Sequence, residues 1–399
     1  MFRQIPAITS AGLESSLVKT SALISSLALG AAAALALTSC SASDDASQPE
    51  RGEHLKVVVT TTQLADFAAE VGGNDIELTG MLAPGSSAHH FDPTPADLLS
   101  LGQADVLIVN GAGLDEFIDS AIDASGFSGT LVDASAGLDL ETARAITAET
   151  LEGQNHEGEH EHIDTHGHSH DGAEGAAEPQ SADSEGSESS ETSEEDHDHD
   201  HDHDHEHGDL NPHLWTSPRF AQGMVQQIAD ELAKIDPEHG DGYYERAGAY
   251  NAKLVTLDEW IAAQFARVPA EDRVLVTGHD SLRYYLHDYG IAYAGSLLPS
   301  FEDNAEPSAA EIDSLVAAIK SSGVKAIFVE SSLSPKLAKT VAQEAGVAVI
   351  DADSLYVDSL GPDGSGAETY ISATLHNTRV ILEAWGASID PVPSALEGA

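Results

Sequence analysis

The chain has 399 residues and a formal net charge of −51, from 68 acidic and 17 basic residues. It is long enough for two domains with cores of their own, and a hydrophobic content of 41% makes it mostly globular. The charge argues against DNA or RNA as partners, because phosphates need cationic neutralisation, and leaves a cation as a natural ligand.

Residues 1–39 read as a secretory signal peptide. Arg3 and Lys19 precede the apolar run "SALISSLALGAAAALALTSC", which is short for a membrane span and is followed at once by polar residues. The run ends at Cys40, the one cysteine, so no intrachain disulfide forms. "LTSC" resembles a bacterial lipobox, which implies cleavage before Cys40 and lipidation of its thiol. Residues 40–54 are then a lipid-anchored tether, and the globular part lies outside the cytoplasm.

From Leu55 the pattern alternates strand and helix. "LKVVVT", "DIELTGML", "ADVLIVN" and "GTLVDA" are short β-branched runs, with helical periods such as "TQLADFAAEVG" and "TPADLLSLG" between them. Buried strands alternating with helices predict a parallel sheet covered on both faces. Residues 55–236 are expected to form an N-terminal α/β lobe. Within it, residues 151–208 hold almost no large apolar side chains and twelve of the twenty histidines. Such a segment cannot bury enough surface to offset its ordering entropy, so a disordered Asp/Glu/His-rich loop is expected. Its imidazoles and carboxylates offer weak, interchangeable metal sites with no fixed geometry.

Residues 237–268 read as a linking helix of roughly 45 Å, with Tyr244, Ala247, Asn251, Leu254, Leu257, Ile261 and Phe265 as its buried stripe. Residues 269–399 repeat the first pattern as a C-terminal α/β lobe. "VTTTQLADFAAEVGGNDIELTGML" parallels "VTGHDSLRYYLHDYGIAYAGSLL", and Asp92-Pro93 corresponds to Glu306-Pro307. The fold class is therefore α/β: two similar lobes with mostly parallel sheets, one long helix joining them, and a cleft faced by the carboxyl ends of the strands.

Four residues outside the acidic loop fall at such strand ends or turns: His89 in "SSAHHFDPTP", His213 in "NPHLW", His279 in "VTGHDSL" and Asp358 in "SLYVDSLG". Any one alone reads as a cap or a solvated side chain; together they suggest a site. His90, Asp280, Glu330 and Asp353 are the competing candidates.

In their order, "HHFDPTPADL", "NPHLW", "VTGHDSLRYYLHDYGI", "EPSAAEIDSLV", "KAIFVESSL" and "SLYVDSLG" resemble the metal-binding substrate-binding lipoproteins of ABC importers, the zinc and manganese uptake family. The resemblance covers Leu55 to about Trp385. It implies His89, His213, His279 and Asp358 as metal ligands, an ABC permease in the membrane as partner, and a monomer with no catalytic residues. Histidine at 279 is the choice of zinc members, where manganese members often carry glutamate. Three imidazoles and one carboxylate suit tetrahedral Zn²⁺, whereas Mn²⁺ prefers more oxygen. The expected cargo is Zn²⁺, with Mn²⁺ as the alternative. A surface metal-buffering or adhesin lipoprotein, and a secreted zinc hydrolase using Glu330 as base, are the other readings.

Overall fold

The computed structural model describes residues 54–154, 210–298, 300 and 306–398. The signal peptide, the tether with Cys40 and nearly all of the acidic loop lie outside the described residues. In chain order the first lobe contains β1 (Leu55–Val59), α1 (Thr62–Gly72), β2 (Ile76–Gly80), α2 (Pro95–Leu101), β3 (Val106–Val109), α3 (Ile118–Ser125), β4 (Thr130–Asp133) and α4 (Leu140–Gln154). After the acidic loop come α5 (Pro218–Ile235) and α6 (Gly240–Phe265). The second lobe has β5 (Val274–Thr277), α7 (Arg283–Asp288), β6 (Ala292–Ser296), α8 (Ala309–Ser322), β7 (Ala326–Glu330), α9 (Pro335–Ala345), β8 (Ala348–Leu355) and α10 (Tyr370–Ala384).

The first sheet is wholly parallel, in the order β2-β1-β3-β4. In the second lobe β5 pairs with β6 and β7 with β8, both parallel. Because β5 runs beside β7, the strands line up as β6-β5-β7-β8, the same order again. The central strands β3 and β7 are buried at every position, as parallel strands covered on both faces require. The internal repeat extends to the helix starts. Thr94 and Ser308 each stand directly after the acid-Pro pair, and each closes a capping box, with Asp97 and Glu311 respectively. That reciprocal cap satisfies amide groups that would otherwise lack partners.

Two expectations need correction. The loop predicted to begin at residue 151 begins later, because α4 continues through Gln154; the "ETARAITAETLEGQ" period carries the helix past the last apolar anchor. The stripe on α6 is also shifted. Tyr244 is 46% exposed, while Tyr243, Tyr250 and Trp260 are buried with Ala247, Leu254, Leu257, Ile261 and Phe265. Before Ala247, spacings of three and four both fit the sequence, and the packing takes Tyr243. The cause is polar as well as apolar: the Tyr243 hydroxyl donates to Asp236 at 2.9 Å. The 26 residues of α6 span about 39 Å at 1.5 Å per residue, somewhat less than the expected rod.

One continuous core joins the first lobe, α5, α6, α7 and α10, and a smaller one fills the outer side of the second lobe around Ile319, Ile327 and Val341. The long helix is therefore packed along its length. Tyr243→Ala should cost about 3 kcal/mol or more of stability, as expected for a large buried ring, and Tyr244→Ala less than about 0.5 kcal/mol. Chemical denaturation of the two variants measures both values, and equal losses would contradict the observed stripe.

Candidate metal centre

Each of the four residues singled out in the sequence sits where a regular element ends. His89 lies in the loop between β2 and α2. His213 precedes a short 3₁₀ turn, Leu214–Thr216, that opens into α5. His279 lies two residues beyond β5, and Asp358 three beyond β8. The structure brings one ligand atom of each to within 4.8 Å of all the others. His213 Nε2 is the hub, 3.0 Å from His89 Nε2, 3.1 Å from His279 Nε2 and 3.3 Å from Asp358 Oδ1. His279 Nε2 is 3.4 Å from the same carboxylate oxygen. A tetrahedron with bonds of about 2.0–2.1 Å has edges of roughly 3.3 Å, so these separations fit a shared ion. His213, His279 and Asp358 are buried, and His89 is half-buried. Among the described residues this is the one group of three or more His, Cys, Asp or Glu so placed.

The competing candidates fall outside this group. His90 is exposed, with its ring 6.5 Å from that of His89. Asp280 is paired with Arg283, whose Nε is 3.1 Å away. Glu330 is buried behind His279, its Oε2 against Nδ1, on the far side of the ring from Nε2. The side chain of Asp353 is outside the described residues.

The residues behind the rings fix which nitrogen faces the centre. The Asn211 amide nitrogen donates to the Asp280 carbonyl at 2.6 Å, so its Oδ1 must face His213. That oxygen is 2.7 Å from His213 Nδ1. An amide oxygen only accepts, so Nδ1 carries the hydrogen and Nε2 of the neutral ring presents a lone pair. Glu330 Oε2 lies against Nδ1 of the second ring as an ion-pair contact, although neither atom completes a hydrogen bond in this geometry. Ser332 Oγ donates to Asp358 Oδ2 at 3.1 Å, which leaves Oδ1 buried without a hydrogen bond. Once the His279 proton has left, lone pairs converge on one point, where a cation takes the place of that proton.

The family described as zinc-uptake complex component A, periplasmic, matches residues 57–171 and 167–384. The chain belongs to that family. This makes it an extracytoplasmic, metal-binding protein of the substrate-binding class. It is 27% identical, over 86% of this chain and 92% of the relative, to the manganese-binding lipoprotein MntA of Halalkalibacterium halodurans. The Bacillus subtilis protein of the same description is 26% identical over 88% of this chain and 96% of its own. The fold is that of the periplasmic zinc binding protein TroA from Treponema pallidum. The TM-score is 0.62 at 22% identity, over 83% of this chain and 98% of that one. Among the described residues no helix is long and apolar enough to cross a membrane.

Sequence reasoning missed the supporting residues. Asn211 was not singled out, although a short polar side chain two residues before a histidine is placed to reach its ring. The Arg283 guanidinium, buried between Asp280 and the Thr147 carbonyl at 2.7 Å, carried no signal beyond its position on α7.

Burial lowers the His213 pKa below its ordinary value, consistent with a neutral ring. For His279 burial works in the same direction, but the carboxylates of Asp358 and Glu330 overcome it and raise the pKa well above 6.5. Burial would raise Asp358, and the neighbouring His279 and His213 overcome it, holding Asp358 well below 3.8. The raised His279 stabilises the metal-free fold fully below pH 6.5 and loses this effect as pH rises through the folded value. The depressed Asp358 stabilises it above pH 3.8 and loses this effect as pH falls through its folded value. A metal must displace the His279 proton. Zinc titration at pH 7 in buffers of different ionisation enthalpy should therefore show release of about one proton per ion, with affinity falling as pH is lowered. Binding without proton release would contradict this assignment.

Proposed function

We propose that the chain captures Zn²⁺ outside the cytoplasm and delivers it to the permease of an ABC importer. In this reading His89, His213, His279 and Asp358 are the ligands, and a lipid on Cys40 holds the monomer at the membrane. The lobes of residues 55–236 and 269–399 act as two jaws joined by the helix within 237–268. The observation that carries the reading is the meeting, within 4.8 Å, of three imidazole nitrogens and one carboxylate oxygen from both lobes. This nitrogen-rich set accepts tetrahedral Zn²⁺ without penalty. The hydrolase reading loses its proposed base, because Glu330 faces His279 Nδ1 rather than the centre.

Manganese is the second reading, favoured by the relatives described as manganese-binding. Against it stands the donor set, since Mn²⁺ favours oxygen and lies lowest in the divalent affinity order. In the proposal the Asp/Glu/His-rich loop raises the local zinc concentration or buffers it through many weak sites.

The test is equilibrium titration with chelator competition on the intact chain, on a chain lacking residues 155–208, and on His279→Ala. One tight zinc per chain should survive the loop deletion, while weaker sites vanish with it. His279→Ala should weaken the tight site more than about 100-fold. Loss of the tight site with the loop refutes the ligand assignment. Displacement of zinc by equimolar Mn²⁺ would decide for manganese. For the anchor, Cys40→Ser should shift the chain from the membrane pellet to the medium, and an unchanged pellet fraction would refute lipidation.

A further inference from the structure

We propose that Glu330 is a positioning residue that sets the strength of His279 as a ligand and completes the charge balance of the centre. The inference rests on the reading of His279 as a zinc ligand. Glu330 is the last residue of β7 and is fully buried. Both of its oxygens are committed. Oε1 accepts from the backbone nitrogens of Gly278 at 3.1 Å and His279 at 3.4 Å, and from Ser281 Oγ at 3.0 Å. Oε2 lies against His279 Nδ1. The carboxylate therefore grips the whole 278–281 turn and aims the ring at the same time.

The turn is shaped for this grip. A Cβ at position 278 would lie 2.4 Å from Leu333 Cδ1 and 3.3 Å from the Glu330 carboxyl, so a side chain here would press on Leu333 and on the carboxylate. Among the described residues no Lys or Arg pairs with Glu330. A buried carboxylate needs a compensating charge; without metal the His279 ring against Oε2 supplies it, and with metal the ion on the other side of that imidazole does. A carboxylate on the outer nitrogen makes the inner nitrogen a stronger donor. His213 is treated differently, because its outer nitrogen meets the neutral amide of Asn211. Two buried carboxylates, Glu330 and Asp358, thus match one divalent ion, and Glu330 contributes without touching it.

The experiment is zinc affinity by chelator competition for the full chain and for Glu330→Gln, which keeps the shape, removes the charge and puts an amide N–H donor where Oε2 faced His279 Nδ1. Affinity should fall 10–100-fold. The metal-free variant should still unfold in one cooperative transition, and the visible spectrum of the Co²⁺-loaded variant should stay tetrahedral. Intact-chain affinity in a folded Glu330→Gln overturns the proposal, and so does a loss of affinity matched by loss of the folded state. If Glu330→Gln does not fold, Glu330→Asp carries the test: its shorter reach should weaken zinc about tenfold, and unchanged affinity overturns the idea. His279→Ala separates the two claims. If it keeps the tight site, the ligand reading itself fails; if it loses the site while Glu330→Gln keeps it, only the role of Glu330 fails.

Discussion

Everything in this molecule is arranged around a crowding of electron pairs. Three imidazole nitrogens and a carboxylate oxygen are held within 4.8 Å of one another in a largely buried space, four of the pairs at 3.0–3.4 Å. Nothing intrinsic to these groups favours that encounter. Three of the four are held there by a contact on the outer side: Asn211 for His213, Glu330 for His279 and Ser332 for Asp358. Preorganisation of this kind shifts the cost of assembling the site onto folding, so a captured ion meets ligands already in place.

That cost is offset by polar contacts that cross between the lobes. Gln63 Nε2 and Trp215 Nε1 both donate to the Val357 carbonyl, at 2.7 and 3.0 Å. Leu360 N donates to Thr62 Oγ1 at 2.8 Å, and Gly85 N to Ser359 Oγ at 2.7 Å. All of these bracket Asp358 in sequence, so the strand-end loop carrying the carboxylate is fastened to the opposite lobe. Asn211 plays the matching part for His213. Besides holding that ring, it bonds the Asp280 carbonyl, and its own carbonyl accepts from the Tyr284 hydroxyl at 2.5 Å. Its backbone nitrogen reaches Thr147 of α4 at 3.3 Å. The last well-packed turn before the acidic loop and the first residues after it are thereby joined at the metal centre.

The sequence made the fold legible because both lobes obey the same local rules: continuous β-branched runs for covered strands, and acid-Pro pairs ahead of capping boxes. The four central residues were legible for a related reason. Strand ends in parallel sheets point to one side, so polar residues there are brought together by topology alone. What could not be read was anything decided by side-chain direction over long range. Glu330 and His279 are 51 positions apart in sequence, and only the packing of β7 near β5 puts the carboxylate behind the ring rather than in front. The choice between Tyr243 and Tyr244 on α6 was ambiguous for the opposite reason: two helical phases fit, and a single bond to Asp236 accompanies the one adopted.

The placement of α6 limits how such a site can open. Arg246 bonds the carbonyls of Val71 and Gly72 at the end of α1, at 2.6 and 2.9 Å, and Tyr250 bonds Asp66 at 2.7 Å. Farther along, Trp260 reaches the Pro391 carbonyl at 3.2 Å, and Asp258 accepts from the Tyr289 hydroxyl at 3.0 Å. One helix is thus bonded to both lobes along its length, and a wide hinge would break several of these contacts together. His89 is the exception among the four proposed ligands. It is half-buried, and its loop runs from β2 to α2 over mostly exposed or half-buried residues. Motion confined to that loop removes one ligand and opens the centre to solvent, leaving His213, His279 and Asp358 in place. Exchange of the ion through the His89 side therefore costs far fewer contacts than separation of the lobes.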